Sequence, residues 1–163
     1  MPRYAASVLS LRPAAETFGY LATFSNAVHW DPGVLSAEQL DPGPVRAGSR
    51  FRLVVPFLGR PMPLTYQVTS YGPGHTVTLA ASSRLLQATD TIAVTGGAGA
   101  CTVSYQAEVR LRGLLRLLDP LLGPGFRAVA SRGAAGLARA LSGDPLPAAP
   151  ASPVLPAAPA GPS

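Results

Sequence analysis

The stretch CTVSYQAEVRLR, residues 101–112, alternates between apolar and polar side chains along its whole length. The apolar set is Val103, Tyr105, Ala107, Val109 and Leu111, and the polar set is Thr102, Ser104, Gln106, Glu108, Arg110 and Arg112. Side chains of a β-strand point alternately to the two faces of a sheet. The pattern therefore predicts a strand with one face against an apolar core and the other in water.

Working outward toward the N-terminus, other segments of strand length are separated by turns that contain glycine or proline. These segments are RYAASVLSL (3–11), SRFRLVVPF (49–57), PLTYQVTSY (63–71), TVTLAASSRL (76–85) and ATDTIAV (88–94). Runs of this length joined by short turns predict an antiparallel meander with one apolar face.

Toward the C-terminus, residues 114–141 predict a helical segment that covers this apolar face. Its stripe consists of Leu118, Leu122, Phe126, Val129, Leu137 and Leu141. We expect Pro120 and the GPG at 123–125 to break or kink the helix. Gly133 and Gly136 predict close approach to a neighbouring element.

A shorter helix is predicted near the N-terminus. It begins at Pro13, a residue tolerated in the first turn, and carries Phe18 and Leu21 on one face. The Asp-Pro-Gly turn at 31–33 ends this region. The predicted fold class is therefore α+β.

Composition narrows the possible functions. The chain has 163 residues, a net charge of +5, and arginine as its only basic residue apart from two histidines. The arginines are scattered rather than clustered, which argues against nucleic-acid binding. His29, His75 and Cys101 have no metal-ligand spacing, so we expect neither metal nor cofactor. The abundance of Ala, Gly, Pro and Arg suggests a bacterial genome rich in G+C.

Location and domain limits can also be predicted. One cysteine allows no internal disulfide, and neither a signal sequence nor a run of about 20 apolar residues is evident, so we expect a cytoplasmic protein. Residues 3–142 are expected to form one ligand-binding domain. Residues 143–163 are rich in Pro and Ala, with proline at every third position from Pro147, and are expected to be a disordered tail.

The segment FSNAVHWDPGV, residues 24–34, could be a catalytic cluster or an architectural one. We favour architecture: Trp30 anchors the core or borders a ligand, His29 is solvated, and Asp31 shapes the turn. A catalytic His29 would need a hydrogen-bonded partner, which the sequence does not identify.

Three other residues are weak catalytic candidates. Asp90 has the same strand parity as Ile92 and Val94, which turns its carboxyl toward the apolar side, although pairing with a nearby hydroxyl or arginine is the plainer alternative. Tyr66 and Tyr105 also project with apolar neighbours, either as core residues with a polar tip or as ligand contacts.

The chain resembles the START-like, birch-pollen-allergen-like superfamily, also called SRPBCC, and within it the polyketide cyclase/dehydrase-like branch. The resemblance covers about residues 3 to 142. The segments that carry it are TFGYLATFSNAVHWDPGV (17–34), GSRFRLVV (48–55), PLTYQVTSYGPGHTVTL (63–79), ATDTIAV (88–94) and VSYQAEVRLRGLLRLLDPLLGP (103–124).

The resemblance implies a helix-grip fold, in which a curved antiparallel sheet of about seven strands wraps a long C-terminal helix and leaves an apolar cavity. It also implies two short helices after the first strand. It implies binding or transport of a hydrophobic small molecule such as a polyketide, lipid or isoprenoid. The alternative is a polyketide aromatase/cyclase or dehydratase that uses pocket Asp and Tyr groups. No catalytic motif of the family matches residue by residue.

Strand parity and the inner stripe of the last helix predict which residues would line such a cavity, with its mouth near Trp30 and Phe126. The predicted ligand-binding residues are Trp30, Phe51, Leu53, Val55, Leu64, Tyr66, Leu79, Ile92, Tyr105, Leu118, Leu122 and Phe126.

Overall fold

The computed structural model describes residues 3–142, apart from the side chain of Leu122. The strands are β1 Arg3–Ser10, β2 Ser36–Gln39, β3 Arg50–Phe57, β4 Arg60–Gly72, β5 Thr76–Ser82, β6 Leu86–Gly96 and β7 Cys101–Leu111. The helices are α1 Ala14–Ala22, α2 Ala27–Trp30 and α3 Asp119–Leu141, with 3₁₀ segments at Phe24–Asn26 and Gly113–Leu118. The predicted tail lies outside the described residues.

The strands form one curved antiparallel sheet in the order β1-β7-β6-β5-β4-β3-β2. The chain therefore meanders from β2 to β7, and β1 completes the sheet beside β7. This confirms the α+β helix-grip prediction. The sequence analysis did not identify β2, because SAEQ has no alternating apolar pattern. This edge strand is held by its pairing with β3, from Ser36 opposite Val54 to Gln39 opposite Phe51.

The alternation that predicted β7 appears in its burial. Val103, Tyr105 and Ala107 are buried, whereas Thr102 and Gln106 are exposed. Buried side chains from the inner face of the sheet pack with those of α1 and α3 to form the core. The largest fully buried members are Phe51, Leu21, Leu79, Ile92, Leu137 and Leu141.

The long C-terminal helix differs from its prediction at the prolines. Pro120 is the second residue of α3, where a missing backbone N–H has no helical acceptor to lose. The helix then continues through Pro124 without ending. A break at 123–125 is therefore wrong, and the alternative of a kink there stays a prediction.

The leucines before and within α3 separate into two groups. Leu137 and Leu141 are fully buried, and α3 packs chiefly against β1. Leu114, Leu117 and Leu121 are 86%, 79% and 75% exposed. The prediction that residues 114–141 cover the apolar face therefore holds for the buried leucines of the C-terminal half and not for these exposed ones. Among residues 3–142, none of the helices combines the length and apolar character that crossing a bilayer requires.

The predicted close approach at Gly133 and Gly136 is confirmed. A Cβ atom at Gly136 would overlap the backbone carbonyl oxygen of Trp30. A Cβ at Gly133 would lie 3.3 Å from a carboxylate oxygen of Asp31. The two glycines therefore allow the end of α2 and the following turn to pack directly on the backbone of α3.

Candidate ligand-binding site

A cavity of about 510 Å³ lies between the inner face of the sheet, the turn after α2, and the first half of α3. Its walls are mainly aliphatic and aromatic. The wall residues are Phe24, Ala27, Val34, Leu53, Val55, Phe57, Leu58, Met62, Leu64, Leu86, Ala88, Ala107, Val109, Leu111, Phe126 and Val129. Leu58 and Val129 are largely exposed, which indicates that the cavity opens to solvent beside them.

Five polar side chains also line this cavity: Asp31, Tyr66, Asp90, Tyr105 and Arg132. Asp90 is only 7% exposed. It lies opposite Ala107 in the β6–β7 pairing, and Tyr105 is two residues earlier on β7, on the same face. From this position the Tyr105 hydroxyl lowers the pKa of the Asp90 carboxyl, because hydrogen bonding from the hydroxyl favours the ionised form. The cavity is therefore apolar with a localised hydrogen-bonding group.

Burial determines how this group ionises. Removal from water, followed by the nearby negative charge of Asp31, raises the pKa of Asp90 to about 7, although the hydrogen bond from Tyr105 opposes the rise. Burial, followed by the charge of Asp90, raises the pKa of both Tyr66 and Tyr105 well above the usual value. Near neutral pH the two phenols are therefore protonated, whereas Asp90 is divided between its acid and carboxylate forms.

Asp31 shapes the turn and also faces the cavity. Its Oδ1 accepts a hydrogen bond from the backbone N–H of Gly33 at 2.8 Å, which is the geometry of an Asx turn. Burial raises the pKa of Asp31, and the hydrogen bond from Gly33 lowers it. The prediction that Asp31 shapes the turn is therefore correct. Its position in the cavity lining was not predicted from the sequence.

The other members of the FSNAVHWDPGV segment have architectural positions. The His29 side chain is exposed and is not among the cavity-lining residues. Trp30 is buried and contacts the ring of Tyr105 edge-on, with 5.9 Å between ring centroids and 81° between ring planes. Trp30 therefore packs against Tyr105 and is not among the cavity-lining residues.

Arg132 of α3 is the one basic side chain among the cavity-lining residues that the structure describes. It is exposed, so its guanidinium is hydrated. Within residues 3–142, no group of three His, Cys, Asp or Glu side chains is arranged to hold a metal ion.

The model of the family described as "Polyketide cyclase / dehydrase and lipid transport" matches residues 1–142. The chain belongs to this family. A search of curated protein sequences finds no match.

Solved structures agree with this membership at the level of fold. The Zhui aromatase/cyclase from Streptomyces sp. R1128 has a TM-score of 0.67 and 14% identity, covering 85% of this chain and 90% of that one. A START superfamily protein from Mycobacterium smegmatis has a TM-score of 0.69 and 11% identity, covering 85% and 96%. Ara h 8.0201 has a TM-score of 0.54 and 11% identity, covering 83% and 96%.

The cavity of this polyketide cyclase/dehydrase family member contains about half of the residues predicted to line it. Those that line it are Leu53, Val55, Leu64, Tyr66, Tyr105 and Phe126, together with the catalytic candidate Asp90. Whether they bind a ligand remains a prediction.

Of the other six predicted lining residues, the structure places five outside the cavity lining. Four of them are buried in the hydrophobic core and do not line the cavity: Trp30, Phe51, Leu79 and Ile92. Phe51 packs against Phe24, which itself lines the cavity. Leu118 is in the 3₁₀ segment and does not line the cavity, and the side chain of Leu122 lies outside the description.

Sequence reasoning missed several cavity residues. Phe57 and Met62 could have been found, because they continue the parity of Val55 and Leu64 toward the β3–β4 turn. Arg132 carried no comparable signal, because its contribution depends on how α3 lies over the sheet.

Proposed function

We propose that this protein binds a hydrophobic small molecule, of the polyketide, lipid or isoprenoid type, in the cavity between the sheet and α3. The observation that carries the proposal is the 510 Å³ cavity with predominantly apolar walls. Its volume lies within the roughly 300–1,000 Å³ typical of small-molecule sites. An apolar molecule that enters it leaves water, which is the main source of binding free energy for such ligands.

A cavity-filling variant tests this proposal. Val109→Trp adds a large ring from β7 into the cavity, whereas Gln106→Trp adds the same ring to the exposed face of that strand. We expect Val109→Trp to weaken binding of the neutral probe 1-N-phenylnaphthylamine at least tenfold and Gln106→Trp to leave it unchanged. Native mass spectrometry of the purified wild type should show a retained apolar molecule. A wild type that binds no probe and retains no molecule would contradict the proposal.

A second candidate function is cyclisation or dehydration of a polyketide. The observation in its favour is the Asp90–Tyr105 pair, because a buried carboxyl with a pKa of about 7 can both accept and donate a proton near neutral pH. The aromatase/cyclase named among the similar folds is consistent with this chemistry.

In that reaction the Asp90 carboxylate would remove a proton from a carbon between two ketone groups. The resulting enolate would attack a second carbonyl carbon of the same chain. Tyr66 and Tyr105 would donate hydrogen bonds to the oxygens on which negative charge develops. The protonated Asp90 would then return its proton to the alkoxide formed by this attack, which gives a hydroxyl and restores the carboxylate. In a dehydration the carboxylate would next remove the remaining proton of the attacking carbon and pass it to the departing hydroxyl, so that water leaves as the C=C bond forms.

Turnover of a poly-β-keto substrate separates the two functions. A cyclase should lose activity in Asp90→Asn by a factor of about 100 or more, because general acid–base catalysis contributes about that much. Glu38→Gln is the matched control, since it removes one exposed carboxylate from β2, outside the cavity. If the wild type binds the substrate but does not turn it over, the cyclase function is contradicted and only the binding function stands.

A further inference from the structure

The charge inside the cavity is unevenly distributed. Two carboxyl groups, Asp31 and Asp90, face it together with the hydroxyls of Tyr66 and Tyr105. The single basic residue among the described lining residues is Arg132, whose side chain is exposed. Asp31 from the turn after α2 and Tyr105 from the sheet act on the ionisation of Asp90, and Tyr66 from the sheet and Arg132 from α3 line the same cavity.

These groups interact differently with a hydroxyl, an ammonium or a carboxylate at the polar end of a ligand. A neutral hydroxyl or a cationic ammonium beside Asp90 can donate a hydrogen bond to its carboxylate. A carboxylate head in the same place would meet a like charge in a buried environment, and it would have to give up its hydration. The two phenol hydroxyls could donate to it, but hydrogen bonding of the Tyr105 hydroxyl to the head group would compete with its effect on Asp90.

We propose that the cavity selects its ligands by the charge of their polar head: it accepts apolar molecules that end in a hydroxyl or an ammonium group and discriminates against the corresponding carboxylate anions. This inference rests on the proposed binding function, and it narrows the ligand class to molecules unlike free fatty acids. The alcohol and the amine share the ability to donate a hydrogen bond from the head group to the Asp90 carboxylate.

Arg132 offers an anion a different location, at the exposed side of the cavity. Because its guanidinium is hydrated, its attraction for a carboxylate is screened by water and salt. Arg132 therefore does not offset the exclusion of an anionic head from the interior.

Displacement of 1-N-phenylnaphthylamine by three ligands with the same twelve-carbon chain tests the selection. At pH 8, where Asp90 is mostly ionised, dodecanol and dodecylamine should each displace the probe at least ten times more effectively than dodecanoate, all below their micelle concentrations. In Asp90→Asn the dodecanoate affinity should rise at least fivefold and the dodecylamine affinity should fall. Glu38→Gln, which removes an exposed carboxylate, should leave the order unchanged.

The displacement assay can also be carried out on the wild type alone at two pH values, so that the test does not depend on the folding of a variant. Between pH 8 and pH 6 dodecanoate and dodecylamine keep their charges, whereas Asp90 becomes largely protonated. The preference for dodecanol over dodecanoate should therefore narrow by at least threefold at pH 6.

The failures of the two proposals are distinguishable. If neither the probe nor any of the three ligands binds, the proposed binding function fails. If the probe binds and dodecanoate matches dodecanol at pH 8, the charge selection is overturned and binding stands. A loss of dodecanoate binding confined to Arg132→Gln, without any effect of Asp90→Asn, would also overturn it, because the anion would then be held at the exposed side.

Discussion

Asp90 and Tyr105 lie on neighbouring strands and both line the cavity, and hydrogen bonding from the Tyr105 hydroxyl lowers the pKa of the Asp90 carboxyl. Two opposing effects meet in this pair. Burial and the charge of Asp31 favour the protonated acid, whereas the hydrogen bond favours the carboxylate. The balance places the ionisation of Asp90 near neutral pH, where either form is accessible.

Stability should depend on the ionisation of Asp90. The pKa of this carboxyl is about 7 in the folded chain, above its ordinary value of 3.8, so the folded state holds the proton more tightly than the unfolded state. The free energy of unfolding should therefore fall as the pH rises from 4 to 7. The largest loss that such a shift allows is about 4 kcal/mol.

Asp90→Asn should remove this pH dependence. At pH 8 the variant should melt at a higher temperature than the wild type, and at pH 4 the two should differ much less. Thermal denaturation followed by circular dichroism at both pH values measures the difference. A wild type whose stability is level or rises from pH 4 to 7, with no change in Asp90→Asn, would contradict the assigned burial of this carboxyl.

Tyr105→Phe should raise the pKa of Asp90 further, because it removes the hydrogen bond that stabilises the carboxylate. Carboxyl carbon shifts in a ¹³C NMR titration would measure the change. Tyr71→Phe is the matched control, since Tyr71 packs against Phe18 and does not line the cavity. An unchanged Asp90 titration in Tyr105→Phe would show that the hydroxyl does not act on this carboxyl.

Gly136→Ala should destabilise the protein by roughly 2 to 4 kcal/mol, because the new methyl group would overlap the carbonyl oxygen of Trp30 and push α2 from α3. Gly125→Ala, in the same helix but with open space around its Cβ position, should instead stabilise it by up to about 1 kcal/mol. Urea denaturation of both variants measures these changes. Equal effects at the two glycines would be inconsistent with the close packing of α2 on α3.

A chain that ends at Ser142 should keep the melting temperature of the full chain within error. The removed residues are almost all Pro, Ala, Gly and Ser, a composition that cannot bury much apolar surface, and the family match ends at residue 142. A drop of several degrees on truncation would show that residues 143–163 dock on the domain.

The local pattern of the sequence was sufficient to predict the sheet and the inward face of its strands. Alternation in CTVSYQAEVRLR placed Tyr105 inside, and the same parity placed Asp90 inside, because successive side chains of a strand point to opposite faces. The glycines at 133 and 136 were sufficient to predict a close helix contact, since only a missing side chain allows such an approach.

Tertiary packing decided which of the inward-facing residues along each strand line the cavity and which are buried in the core. Phe51 and Val55 have the same parity, yet Phe51 is covered by Phe24 and Val55 faces the cavity. Parity selects a face of the sheet, but the helices and turns that lie on that face decide where side chains pack and where space remains. Asp31 and Asp90 are 59 positions apart in the chain. They line the same cavity because the turn after α2 folds over the sheet. The ionisation of Asp90 follows from that meeting, because burial and a nearby charge are properties of the assembled structure and not of any local segment.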